Sequence, residues 1–325
     1  MPHTIAQRIR QWARDLPSPP FLSIESLIEY LTEQLYSQYE PTLSPACPQF
    51  SFRLRDWLNS TPDEEDQKLM FQLVPHIFFI GNREYEALYR TAFNNHVAWW
   101  LIDQLGLRLD QPDSHERLKA AVHETWFCPI TDSMQIAKYC HINNIGGSDI
   151  RPDWRTLEAF GSADRVIQYM ADNGLRRIVL LEDFVGTGTQ MSDAVEFAAS
   201  LSTHCPILLC PLVICPKGLE TGNHLQSSFS HLRFAPVLTL HEADFIAELA
   251  TPDEELLFTR LRAMVIKLYP QVAGSMPKNL YGPFGYEGTG ALVVMHTNCP
   301  DNTLPIVHHK SDAPWTPLFP RSSRL

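Results

Sequence analysis

Arg177 to Ala194 reads RIVLLEDFVGTGTQMSDA. A short apolar run ends in two adjacent acids, Glu182 and Asp183. Two apolar residues follow, then Gly186, Thr187, Gly188, Thr189 and Gln190, then a stretch that aligns Met191, Ala194, Val195, Ala198 and Leu201 on one helical face. RRIVLL (176–181) predicts a short buried strand, so the order is strand, acids, polar loop, helix. In an open α/β sheet ligands bind beyond the carboxyl ends of the strands, where this turn belongs. Backbone N–H groups of a Gly/Thr loop entering a helix N-terminus form an anion cradle, each dipole interaction worth about 0.3–1 kcal/mol. Carboxylates beside that cradle accept hydrogen bonds from sugar hydroxyls. Phosphate on one side and acids on the other describe a ribose phosphate.

Other glycine motifs fit less well. A dinucleotide fingerprint needs a third glycine where Met191 stands, and its acid comes about 20 residues after the loop rather than before it. A Walker A loop needs Gly-Lys-Ser/Thr, and this loop has no lysine.

Outward from the loop, strands and helices alternate. HETWFCPI (123–130) predicts a strand followed by the polar turn Thr131-Asp132-Ser133. Ser162 opens a helix with Val166, Ile167 and Met170 inward and Gly174 at a left-handed cap. Strands are expected at 207–214, 237–240 and 291–296, and an amphipathic helix at 253–268. A tail rich in proline carries Pro300, Pro305, Pro314, Pro317 and Pro320. This grammar predicts an α/β fold, a parallel sheet with flanking helices, over residues 116–325. Residues 1–115 read as an all-helical region. In it a helix from Phe21 follows Ser23 as cap, Thr61-Pro62-Asp63-Glu64 forms a capping box, and Pro75 ends that helix. Asn82 caps a helix with Tyr85, Leu88, Tyr89, Ala92 and Phe93 on one face, continuing past Trp99 and Trp100 to Gly106. The aromatic stripe reads as packed core or, alternatively, as a partner surface.

Composition narrows the function classes. The 325 residues are 44% hydrophobic, which excludes a disordered chain, and 26 basic against 37 acidic side chains give a formal charge of −11. That charge opposes non-specific coating of nucleic acid. No uninterrupted apolar run reaches the roughly 18 residues of a membrane span. The opening MPHTIAQRIRQWARDL lacks an apolar signal core and reads as an ordinary first helix. Cysteines 47, 128, 140, 205, 210, 215 and 299 include no CxxC pair, so they read as buried thiols of a reducing, cytoplasmic protein.

Further candidates surround the acid pair. Thr131, Asp132 and Ser133 are placed for a diphosphate or form a plain polar turn. Gly146-Gly147 and Arg151 suggest a lid carrying a cation, or a surface turn with a salt bridge. Lys217 follows the strand ending at Ile214, at the sheet edge suited to a phosphate or an acceptor, or is an ordinary exposed loop lysine. Histidines 296, 308 and 309 do not read as a metal set, because adjacent His308 and His309 point apart when extended. Asp301-Asn302-Thr303 reads as a turn, and the tail as a cover for the site mouth.

The stretch 177–190 resembles the phosphoribosyl diphosphate (PRPP) signature of type I phosphoribosyltransferases. The resemblance implies that Glu182 and Asp183 hold the ribose 2′ and 3′ hydroxyls. It implies that Gly186, Thr187, Gly188, Thr189 and Gln190 wrap the 5′-phosphate, with Mg²⁺ brought by the diphosphate. Gly186 replaces a more usual Thr, and Gln190 stands where a hydroxyl residue often contacts phosphate. More widely, REYEALYR, PITDSMQIAKYCHINNI, EDFVGTGTQ, HTNCPDNTLPIVHH and WTPLFPR resemble a bacterial group of phosphoribosyltransferase-like proteins. That group occurs in defence gene neighbourhoods, including those of retron reverse transcriptases. An effector with possible glycosyl transfer at ribose C1 is the first expectation. The alternative is a non-catalytic module that senses a nucleotide or assembles with a reverse transcriptase or other nucleoprotein through its helical region.

Overall fold

The computed structural model describes residues 4–15, 20–43, 48–146, 163–202, 204–251, 254–275 and 282–322. Its strands are β1 (Phe78–Ile80), β2 (Thr125–Pro129), β3 (Arg177–Val185), β4 (Ile207–Ile214), β5 (Leu232–Phe234), β6 (Leu238–Thr239) and β7 (Val293–Met295). The chain divides into two compact units, one of residues 1–82 with 242–325 and one of 83–241. The second unit begins at Arg83 and ends at His241.

The unit 83–241 is the α/β one. Every strand pair in its five-stranded sheet is parallel, in the order β2-β3-β4-β5, with β6 also on β4. β4 is buried at every position, as a strand covered on both faces must be, which explains its unbroken apolar run. Helices Ala163–Asp172, Thr189–Leu201 and Pro216–Ser228 supply one face. There Val166, Met170, Val195, Ala198 and Leu225 join Trp126, Cys128, Ile178, Leu180 and Leu209 in one core. Near the other face, Tyr139 on helix Ile136–Ile142 stands 6.0 Å from Phe127 of β2 and 5.8 Å from Tyr89. Tyr89 belongs to helix Asn82–Thr91, which runs through a wide turn at Ala92–Val97 into Ala98–Leu105 and stops at Gly106 with φ 56°.

Some local expectations shift. The strand expected at 237–240 has only Leu238 and Thr239. Pro236 splits this edge, β5 and β6 taking successive halves of β4 while Ala235 and Val237 N–H groups bridge to Leu209 and Pro211. Ile167 is 40% exposed and Trp99 52% exposed, so neither belongs to the inner face expected for it. Ser162 lies outside the described residues.

In the unit of residues 1–82 and 242–325, β1 and β7 form a two-stranded parallel sheet, with Phe79 opposite Val294. Neither β1 nor its pairing was expected, because its partner is remote in sequence. Tyr36, Tyr39, Phe50 and Phe79 surround Phe319 at centroid distances of 5.1–5.8 Å. The tail is part of this core. Its carbonyls accept from Arg53 Nε at Leu318 (2.9 Å), Trp57 Nε1 at Ile306 (2.7 Å) and Tyr39 OH at Pro320 (2.9 Å). Prolines bring acceptors but no donors, so side-chain donors complete the bonding. Two caps move. Helix Phe21–Gln34 already includes Ser23, and Asp63, not Thr61, caps Glu64–Leu73 by accepting from the Glu65 and Asp66 N–H groups. The last long helix is Leu256–Ala273, starting after Glu254 and Glu255 rather than at 253. Cys128, Cys205, Cys210, Cys215 and Cys299 are buried free thiols and Cys140 is half-buried; Cys47 lies outside the described residues. His308 Nε2 is 3.0 Å from Thr303 O, and burial pushes its pKa down to about 3. No described helix is long and apolar enough to cross a membrane.

Candidate functional site

β3 runs on to Val185, so Glu182 and Asp183 lie within the strand, not in the turn after it. β2 ends at Pro129, opposite Leu181, and the chain leaves the sheet beside the acid pair. Ile130 N–H donates to Leu181 O at 2.9 Å and Thr131 N–H to Glu182 Oε2 at 2.8 Å. Two segments 50 residues apart are thereby joined. Thr131 Oγ1 also donates to Glu182 Oε1. Ser133 Oγ lies 2.8 Å from Asp183 Oδ1, 3.3 Å from Glu182 Oε1 and 2.6 Å from Thr131 Oγ1. Asp183 Oδ1 accepts the Phe184 N–H at 2.8 Å. Asp132, between the two hydroxyl residues, is exposed.

Both carboxylates are buried, each residue 4% exposed. Glu182 forms no ion pair with any described residue. Burial, and then the neighbouring Asp183 charge, hold its pKa well above the usual carboxylate range, against the pull of the Thr131 and Ser133 donors. The same charges reach the helix Asn82–Thr91. Burial raises the Tyr85 and Tyr89 phenols, and Asp183 raises both further. Sequence reading assigned these two tyrosines to core packing. Both are buried, as that reading expects; what it lacked is their nearness to Asp183.

Past Val185 the loop turns into helix Thr189–Leu201. Gly188 takes φ +90°, and a Cβ there would stand 2.9 Å from Thr221 Cβ and Cγ2. Gly218 is equally constrained, because its Cβ would meet Val185 Cγ1 at 2.8 Å and Gly186 O at 2.9 Å. Thr221 Oγ1 is 3.0 Å from Thr187 O, and Cys215 N–H donates to Val185 O at 2.9 Å. The helix Pro216–Ser228 therefore braces the loop, which places exposed Lys217 at the same sheet edge. Gly186, Thr187 and Gly188 are buried while Thr189 and Gln190 are exposed; Thr187 and Thr189 Oγ1 are 3.3 Å apart.

The N–H groups of Gly186, Thr187 and Gly188 donate to no group among the described residues, and the helix's own bonding starts with Ser192 N–H to Gly188 O at 2.8 Å. A run of amides at a helix N-terminus is thus available to an anion. Of the sequence-derived candidates, the structure joins Thr131 and Ser133 to Glu182 and Asp183, and braces the 186–190 loop beside Lys217. Arg151 and Gly147 lie outside the described residues. Among those residues no group of three or more His, Cys, Asp or Glu is arranged to hold a metal ion. Carboxylate oxygens suit a hard cation such as Mg²⁺, and Glu182 and Asp183 lie on the strand that leads into the loop.

A family model described as PRTase-CE matches residues 54–321. No curated protein and no solved structure gives a match.

Proposed function

We propose a function from one premise: the chain belongs to the phosphoribosyltransferase-like family PRTase-CE. Its acid pair and 186–190 loop bind PRPP or a related ribose phosphate. Glu182 and Asp183 take the ribose 2′ and 3′ hydroxyls, the loop amides take the 5′-phosphate, and Lys217 adds a cation at the rim. The observation that carries this reading is a single strand-loop-helix presenting a buried acid pair at one end and a run of amides, donating to no described residue, at the other. Mg²⁺ arriving with the diphosphate would add positive charge beside the acid pair.

With such a ligand the reaction is displacement at ribose C1. The C1–O bond to diphosphate breaks as a nucleophile bonds to C1, through an oxocarbenium-like transition state that the acid pair stabilises electrostatically. We place the protein in the cytoplasm, a reading supported by its free thiols, and propose an effector role in bacterial defence. Titration calorimetry with PRPP and Mg²⁺ tests the site. Glu182→Ala/Asp183→Ala should weaken binding by about 100-fold or more, two charge-assisted contacts at roughly 1.5–3 kcal/mol each. Equal binding by both proteins overturns the reading.

One observation favours a second reading, a module that binds or assembles without turnover. The hydroxyls and amide of the 131–133 turn, which would face a diphosphate, are spent on the acid pair. In this reading a reverse transcriptase or other nucleoprotein engages the helical N-terminal region. Pyrophosphate released by wild type and not by the acid-pair variant decides for the enzyme; ligand binding without release decides for the module.

A further inference from the structure

Thr131 and Ser133 set two hydroxyl oxygens side by side on the acid pair. The oxygens are 2.6 Å apart; Thr131 Oγ1 donates to Glu182 Oε1, and Ser133 Oγ stands 2.8 Å from Asp183 Oδ1. Ser133 Oγ is also 3.3 Å from Glu182 Oε1, so the two hydroxyls together bridge the two carboxylates. Adjacent hydroxyls at this spacing, one on each of two neighbouring acids, have the arrangement of a cis vicinal diol. Ribose carries such a diol in its 2′ and 3′ hydroxyls. The turn that supplies the mimic borders solvent, with Asp132 exposed and Ser133 half-buried. Thr131 and Ser133 reach β3 through carboxylate oxygens, whereas Ile130 before them bonds to the Leu181 carbonyl.

We infer that the Thr131 and Ser133 hydroxyls occupy the places of the ribose 2′ and 3′ hydroxyls. The 131–133 turn is then an internal stand-in for the sugar, and it withdraws before a ribose phosphate reaches the acid pair. This inference rests on the ribose-phosphate reading of the site and adds a gate to it. In the ligand-free chain the stand-in satisfies two buried carboxylates, which are costly to leave without donors. A ligand gains only the difference between its own hydrogen bonds and those of the turn. Its apparent affinity is lowered by the small fraction of chains in which the turn stands open. Thr131 and Ser133 therefore act against binding, the opposite of residues that hold the acids ready for it.

The test combines titration calorimetry with PRPP and Mg²⁺ and thermal unfolding, both on the full chain. Ser133→Ala removes one stand-in hydroxyl. Thr131→Val removes the other and keeps the amide donor to Glu182 Oε2. Each variant should lower the Tm of the ligand-free protein and raise the affinity for PRPP by about tenfold, the worth of one hydrogen bond to a carboxylate. Because the loss falls on the free chain and not on the complex, saturating PRPP should close the Tm difference. Equal or weaker binding by either variant overturns the inference and leaves the ribose-phosphate reading standing, and one variant decides if the other does not fold. The reading itself fails, and the inference with it, if Glu182→Ala/Asp183→Ala binds PRPP as wild type does or if no chain binds it.

Discussion

Asp63, Glu64, Glu65 and Asp66 crowd the start of one helix, and Glu182 and Asp183 crowd the end of β3, yet the fold answers the two groups differently. At the helix, Lys267 Nζ lies 2.8 Å from Asp63 Oδ2 and from Asp66 Oδ2, and Lys68 Nζ 3.0 Å from Glu64 and 2.8 Å from Glu65. The helix dipole adds its positive end. Asp63 is accordingly pulled below its usual pKa, first by the Lys267 hydrogen bond. Glu182 receives an amide and two hydroxyls, and no cation among the described residues, and moves the opposite way. The acids at the helix are neutralised by cations within the fold, whereas Glu182 is held, among the described residues, by neutral donors.

The largest effect that could break this contrast is on pH dependence. Glu182 is raised from 4.5 to about 8 by burial and by Asp183. Its native pKa is above the unfolded one, so the folded state holds the extra proton. The contribution is fully present below about pH 4.5 and is lost as pH rises through 8. Glu182→Gln keeps an acceptor for Thr131 N–H and cannot ionise. Its Tm relative to wild type should therefore climb across that window, by on the order of 5 °C at the top. A difference that stays flat with pH removes the distinction drawn for Glu182.

How far this site was legible follows from which parts are local. Strand, acids, glycine loop and helix are contiguous in sequence, so the α/β class and residues 182–190 could be read directly from order and periodicity. Ser133 could be nominated by its position after a strand, but its hydrogen bond to Asp183 depends on β2 pairing with β3 in one register. The bracing of the loop by Thr221 was missed, because Gly218 and Gly222 look like defects in a helix until a neighbour approaches them. Tyr85 and Tyr89 had the right period and are buried as a core stripe requires, but their nearness to Asp183 depends on tertiary packing. β1 was missed for lack of any local sign of β7, and the capping box was misread by two residues because Thr61 and Asp63 can both cap. Tertiary pairing, which periodicity does not encode, accounts for most of these.

A smaller effect sharpens the structural side. Asp63→Ala removes the acceptor for the Glu65 and Asp66 N–H groups, at 2.9 and 3.3 Å, and one partner of Lys267. Tm should fall by about 2–4 °C, as for other lost helix caps. PRPP binding should not change. Loss of binding here would mean that the first acid group also serves the ligand, and the contrast would fail.

The smallest effect distinguishes cap from charge within that first group. Lys267 is 55% exposed, so its attraction to Asp63 is screened, but Asp66, at 6%, holds its charge away from water. Lys267→Met should therefore lower Tm by only about 1 °C at low salt, and differently in two backgrounds. With Asp63→Ala the loss should persist, since Asp66 still requires a cation; with Asp66→Asn it should vanish. Molar salt should erase most of what Asp63 contributes and less of what Asp66 contributes. Were the loss to follow Asp63 alone, the neutralisation of buried acid at this helix would rest on the dipole and on Lys68. Lys267 would then be an ordinary surface charge.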